Sequence, residues 1–249
     1  MSDGALAPPA AAVRELAPSG TLRVAINFGN PILASKDAAS GEPRGVSVDL
    51  ARELGRRLGV PVQLVTYTAA GKVVEGIRNQ EWDIGYFAID PVRAMDTDFT
   101  AAYVVIEGAY LVRQDSPIRK NEEVDRAGNR IVVGKGSAYD LYLTREIKQA
   151  TLVRAPTSPA VTDMMVADKI EVAAGVKQQL QVDAKRIPGL RLLDGRFMVI
   201  NQAMATPKGR PAGLEYLTKF VEEMKSSGFV AEALKRHGIE GAAVAPAGK

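Results

Sequence analysis

The feature that most constrains this chain is a strand–helix alternation that runs its course and then starts again. Leu22–Ile26 is a short apolar run rich in β-branched residues, broken by Asn27-Phe28-Gly29-Asn30-Pro31. After Pro and Gly turn signals at 42–46, Val48, Ala51, Leu54 and Leu58 recur at helical spacing, with Arg52, Glu53, Arg56 and Arg57 on the other faces. Gly59 and Pro61 stop that helix. Val62–Thr66 reads as the next strand, Lys72–Gln80 as a helix and Asp83–Phe87 as a third strand. Such an order predicts a parallel α/β sheet. The second round has strands at Arg130–Val133, Thr151–Arg154 and Ile170–Ala174, with helices at Tyr139–Lys148 and Ala160–Ala167. Two rounds predict two α/β lobes, and 249 residues suffice for two modest cores. Two amphipathic helices, Gly213–Met224 and Phe229–Arg236, close the pattern. The stripe Leu214, Leu217, Phe220, Val221 and Met224 is expected to dock into the core. Residues 1–19, rich in Ala and Pro, are expected to form a loose lead-in, as are residues 241–249 at the other end.

Composition narrows the function classes. The net charge is only +3, and basic pairs such as Arg56-Arg57 and Arg119-Lys120 sit among acids and read as solvated faces, so no nucleic-acid partner is expected. The absence of Cys removes disulfides, thiolate metal sites and Cys nucleophiles. The single His, His237, reads as a solvent-facing helix end, and no His/Asp/Glu spacing suits a metal, so neither metal nor cofactor is expected. No segment reaches the apolar length of a membrane span. The N-terminus has no basic and apolar signal-peptide regions, which leaves a removed leader and a leaderless protein as equal expectations.

Open α/β sheets bind ligands beyond the carboxyl ends of their strands. That rule selects loops 27–31, 86–93, 134–140 and 175–179. Asp90-Pro91 reads as an N-cap followed by Pro at the first helical position, with Arg93 one turn in. There Arg93 either grips a carboxylate bidentately or is a surface Arg paired with Asp96 or Asp90. Gly134-Lys135-Gly136-Ser137 lets the backbone approach a ligand and offers Ser137 to cap a helix or donate to an anion. It lacks both the dinucleotide and the phosphate-loop glycine spacing. Glu107, within the apolar run 104–108, reads as a hinge or cleft acid or as a strand-edge surface residue. Glu171 reads as a possible cleft acid or a solvent-facing strand end.

The run from Trp82 to Tyr103, with Asp90-Pro91-Val92-Arg93 followed by Asp98-Phe99-Thr100 and Tyr103, resembles the family 3 extracellular solute-binding proteins. Leu22–Ile26, Gly45-Val46-Ser47-Val48-Asp49-Leu50 and Val133-Gly134-Lys135-Gly136-Ser137 match further family motifs in order, so the resemblance covers residues 20–238. It implies the type II periplasmic-binding-protein fold: two α/β lobes joined by a two-strand hinge, with 20–110 plus 204–240 in the first lobe and 111–203 in the second. It implies a monomer in the periplasm that delivers a small-molecule carboxylate to an ABC transporter permease. Without a leader in this chain, a cytoplasmic location stays open. Arg93 matches the family's carboxylate clamp, Ser137 a hydroxyl of the second lobe, and Phe28 the place of a ligand-facing aromatic.

The departures point to an unusual ligand. Two family hydroxyls are replaced by Ala88 and Ala138, and the ammonium-binding Asp aligns with Val176, next to Lys177. Either Glu107, Asp140 or another acid substitutes, or the ligand has no α-ammonium. The expected contact set is Arg93, Ser137, Tyr86, Ala88, Phe28, Asn27, Asn30, Ala138, Lys177 and Glu107. Expected ligands are organic acids or unusual amino acids, and no catalysis is expected. The rivals are a dehydratase on the same fold, with Glu107, Asp140 or Glu171 as general acid, and a ligand sensor without a transporter.

Overall fold

A computed structural model describes residues 7–248. A short helix α1 (Ala10–Leu16) precedes β1 (Leu22–Asn27), and a small hairpin of β2 (Ser35–Lys36) and β3 (Pro43–Arg44) leads into α2 (Val46–Leu58). The helix ends where Gly59 adopts the left-handed conformation, φ +69°, as the Gly-then-Pro signal requires. β4 (Val62–Tyr67), α3 (Ala70–Arg78) and β5 (Gly85–Ala88) complete the first round. β1 and β4 run parallel, with Leu22 opposite Val62 and Asn27 opposite Tyr67, and β5 joins β1 through Val24 and Ile84.

The 17-residue strand β6 (Thr97–Arg113) then leaves this lobe. The second round is β7 (Arg130–Gly134), α4 (Ala138–Glu146), β8 (Thr151–Ala155), α5 (Val161–Ala167), β9 (Val172–Val176), α6 (Lys177–Arg186) and β10 (Leu190–Leu192). β7 is parallel to both β8 and β9. β11 (Met198–Pro207) returns the chain, antiparallel to β6 and then to β5. α7 (Pro211–Ser226), α8 (Phe229–Arg236) and β12 (Ala243–Val244) follow. The fold is therefore the expected pair of α/β lobes with two antiparallel connecting strands. β6 changes partners at Gly108, which lies opposite both Met198 of β11 and Val176 of β9. The lobe boundaries expected at 110/111 and 203/204 fall inside these connectors.

Packing explains the alternation. β1 buries Leu22, Val24 and Ile26 against α2 residues Leu50, Ala51 and Leu54, while α5 and α6 cover the other lobe's sheet with Val161, Met165 and Leu180. In the first lobe Trp82 is fully buried and donates its indole N–H to the Val73 carbonyl at 2.9 Å, pinning α3 to the start of β5. Beside it the buried Asp83 carboxylate accepts from Arg23 Nε (3.1 Å) and Arg210 Nη1 (2.9 Å), which fastens β1 to the start of α7. The stripe on α7 docks as expected: Leu217, Phe220, Val221 and Met224 are buried.

Three expectations are corrected. The termini are not loose. Ala12 and Leu16 of α1 are buried against α7, where Gly213 leaves Leu16 the room a Cβ would occupy, and β12 pairs with Val104 and Val105 of β6. An Ala- and Pro-rich stretch reads as a linker, yet a helix of about two turns that buries Ala12 and Leu16 is enough to fill a groove. Residues 1–6 and 249 lie outside the described residues. His237 is not solvent-facing: its ring is mostly covered, and Nε2 lies 2.7 Å from Asp49 of α2, which also accepts from Arg236. Finally, β9 sits two residues later than the pattern suggested, so Val176 closes the strand and caps α6.

Candidate functional site

The first lobe's contribution begins where β5 ends at Ala88. Asp90 Oδ1 accepts from the Val92 N–H (2.8 Å), Pro91 sets the backbone, and a single 3-10 turn at Arg93–Met95 follows. This turn folds Arg93 inward. The residue is 3 % exposed, its guanidinium lies 5.3 Å from the centre of the Phe87 ring, and Nη1 donates to the Ala88 carbonyl (3.2 Å). Nε is buried with no hydrogen-bond partner. Neither Asp96 nor Asp90 pairs with it, because Asp90 Oδ2 instead takes Arg145 Nη1 of the other lobe at 2.9 Å. Burial pulls the Arg93 guanidinium down to about 10, against a smaller opposing effect of the Asp90 charge. It stays a cation at neutral pH.

From the second lobe comes the turn after β7. Gly136 has φ +75°, and its carbonyl accepts from Arg93 Nη2 at 2.8 Å across the cleft. Its N–H donates to Asp140 Oδ2 (2.8 Å). Ser137 caps α4, with its Oγ accepting from the Asp140 N–H at 3.1 Å. The Tyr139 hydroxyl lies among the hydroxyls of Ser137 and Ser158, and burial pushes the phenol up, so it is a neutral group.

Between the lobes lies a cavity of about 50 Å³. Of the expected contact set, Asn27, Asn30, Tyr86, Ala88, Arg93, Ser137 and Ala138 line it. Phe28, Glu107 and Lys177 do not. Phe28 donates its N–H to the Tyr67 carbonyl and lies with its ring 5.4 Å from Lys36 Nζ. Lys177 Nζ reaches Glu107 Oε2 at 3.4 Å, and Arg196 approaches the same carboxylate at 3.8 Å. The aligned Val176 does line the cavity, joined by Ser47, Tyr139, Ser158 and Gln202, which the sequence reading missed. Ser47 had a visible signal, since it sits inside the Gly45–Leu50 motif. Ser158 and Gln202 had none.

The remaining acids are held elsewhere. Asp140 accepts from Arg154 Nε (3.1 Å) and from Thr144. Glu171 pairs with Arg130 at 2.7 Å, whose hydrogen bonds hold the carboxyl below the usual range. No Asp or Glu among the described residues lines the cavity. Among the described residues no group of three or more His, Cys, Asp or Glu is placed to hold a metal ion, and no helix is long and apolar enough to cross a membrane.

A buried cation at the mouth of one α/β lobe, facing neutral hydroxyls of a second, defines a two-lobed binding cleft of the type II periplasmic-binding-protein class. The family model for bacterial extracellular solute-binding proteins, family 3, matches residues 22–240, and the chain belongs to that family. Solved structures share the fold. The solute receptor for L-cysteine of Neisseria gonorrhoeae matches with a TM-score of 0.78 at 23% identity, covering 90% of this chain and 92% of that one. The ancestral amino acid-binding protein AncCDT-1, a precursor of cyclohexadienyl dehydratase, matches with a TM-score of 0.75 at 21% identity, covering 90% and 98%. A histidine kinase sensor domain with similarity to periplasmic binding proteins matches with a TM-score of 0.77 at 19% identity, covering 90% and 98%. No curated protein matches the sequence significantly.

Proposed function

We propose that this protein is the solute-binding component of an ABC importer and captures a small carboxylate-bearing ligand between its lobes, outside the cytoplasmic membrane. The observation that carries this reading is Arg93: a guanidinium 3 % exposed, without an acid partner, whose Nε is unsatisfied at the wall of the interlobe cavity. An unpaired buried charge is costly, and a carboxylate ligand offsets it through bidentate charge-assisted hydrogen bonds. Ligand contact with both lobes then favours closure. Among the described residues, those lining the cavity include no carboxylate to serve as general acid, so the geometry favours the receptor over the dehydratase reading.

A thermal-shift screen over organic acids and amino acids tests the proposal. A cleft ligand at a hundredfold excess over Kd adds about 2.7 kcal/mol of apparent stability. The expected result is a rise in Tm with a subset of small carboxylates. A screen in which only carboxylate-free solutes stabilise the protein contradicts the reading.

A further inference from the structure

The inference rests on the carboxylate reading and narrows it to one chemical class. We propose that the ligand is a small monoanion bearing neutral oxygen substituents and no ammonium group, of the class of 2-oxo and 2-hydroxy monocarboxylates.

Charge balance is the first argument. Among the described residues, Arg93 is the only charged one lining the cavity. A zwitterionic ligand adds no net charge and leaves one positive charge uncompensated in a buried site, whereas a monoanion leaves none. The nearby acids are not free to supply the balance. Asp90 holds Arg145, Asp140 holds Arg154, and Glu107 holds Lys177. Asp49 holds Arg236 and lies 2.7 Å from His237 Nε2.

The second argument is the chemistry of the wall opposite Arg93. Val176 stands there at the end of β9, and a small side cavity continues past it, lined by Asn30, Tyr139 and Ser158 as well. An ammonium at this place meets methyl groups and neutral hydroxyls instead of a carboxylate. Four buried polar atoms of the described cavity lining lack hydrogen-bond partners: Arg93 Nε, Asn30 Oδ1 and the hydroxyls of Tyr86 and Tyr139. Asn30 Oδ1 accepts from a ligand hydroxyl, and the Tyr86 hydroxyl, kept protonated by burial, donates to a ligand carbonyl or hydroxyl oxygen.

Calorimetry on the wild-type protein tests this with matched pairs: pyruvate and lactate against L-alanine, and 2-oxoisovalerate against L-valine. The expected result is at least about tenfold tighter binding of the oxo or hydroxy acid in each pair, the scale of one unpaired buried group. Equal or tighter binding of the amino acids overturns the inference while leaving the carboxylate reading in place. If neither member of any pair binds, and carboxylates outside these classes bind instead, the inference fails and the broader reading survives. If no carboxylate binds at all, both fail. The Val176→Asp variant provides an independent readout. Val176 is the N-cap of α6 and makes no side-chain cap, and Asp is a preferred N-cap, so the variant is expected to fold. It should shift preference toward the amino acid of each pair by about tenfold or more. A folded Val176→Asp protein with the wild-type order of affinities contradicts the placement of the ligand against Val176.

Discussion

The two walls of the cleft are built on opposite electrostatic principles. On the first lobe a single cation, Arg93, is buried and its charge has no acid beside it within hydrogen-bonding reach. On the second lobe Asp140 is paired with Arg154 and Lys177 with Glu107, and the surface presented to the cavity is hydroxyls, a backbone carbonyl, Ala138 and Val176. The contrast separates two tasks. On the proposed reading, Arg93 of the first lobe supplies affinity for an anion, and the neutral remainder of the cavity wall, drawn from both lobes, selects among anions.

The strongest way to break this division is Arg93→Ala. Removing the buried cation should weaken ligand binding by on the order of 2–5 kcal/mol, with the fold unchanged by circular dichroism. Wild-type affinity in the folded variant would place the anion site elsewhere. A smaller effect is expected from Gly136→Ala. The residue has φ +75°, and an added Cβ would stand 2.9 Å from the Gly71 Cα of the first lobe. Left-handed strain of about 1–2 kcal/mol should lower Tm, and the lost approach of Gly71 should weaken binding as well. By contrast Gly71→Ala, whose Cβ meets the Lys135 carbonyl oxygen at an ordinary 3.5 Å, should bind normally. The smallest effect belongs to Arg145→Gln. It removes the Asp90–Arg145 ion pair, which bridges the lobes with Arg145 38% exposed, so the loss should be about 1 kcal/mol or less. It should appear as faster ligand release, and high salt should reproduce it in the wild type. A release rate insensitive to both would show that the pair plays no part in closure.

How much of this was readable from the chain depends on the range of the interactions. The strand–helix rounds were legible because periodicity is local, and Arg93 because Asp90-Pro91 fixes its turn within four residues. Val176 was legible through alignment, although the strand that carries it was placed two residues early. Phe28 falls outside the cavity lining because the position of β4, through the Tyr67 carbonyl, decides where its backbone goes. Glu107 and Lys177 were each named as ligand contacts, but they meet one another across β6 and α6, a pairing no local pattern reveals. Ser158 reaches the cavity because β8 ends beside it at Ala155, and Gln202 because β11 places it opposite Ala88; the register of distant strands sets both.

On the proposed reading, an anion held by Arg93 draws the two lobes together. Small-angle scattering of wild-type and Arg93→Ala protein, each with and without the carboxylate that raises Tm most, addresses it directly. The radius of gyration should fall on adding ligand to the wild type and stay constant for Arg93→Ala at the same concentration. Unchanged wild-type curves at saturation, or equal compaction of Arg93→Ala, would contradict the claim.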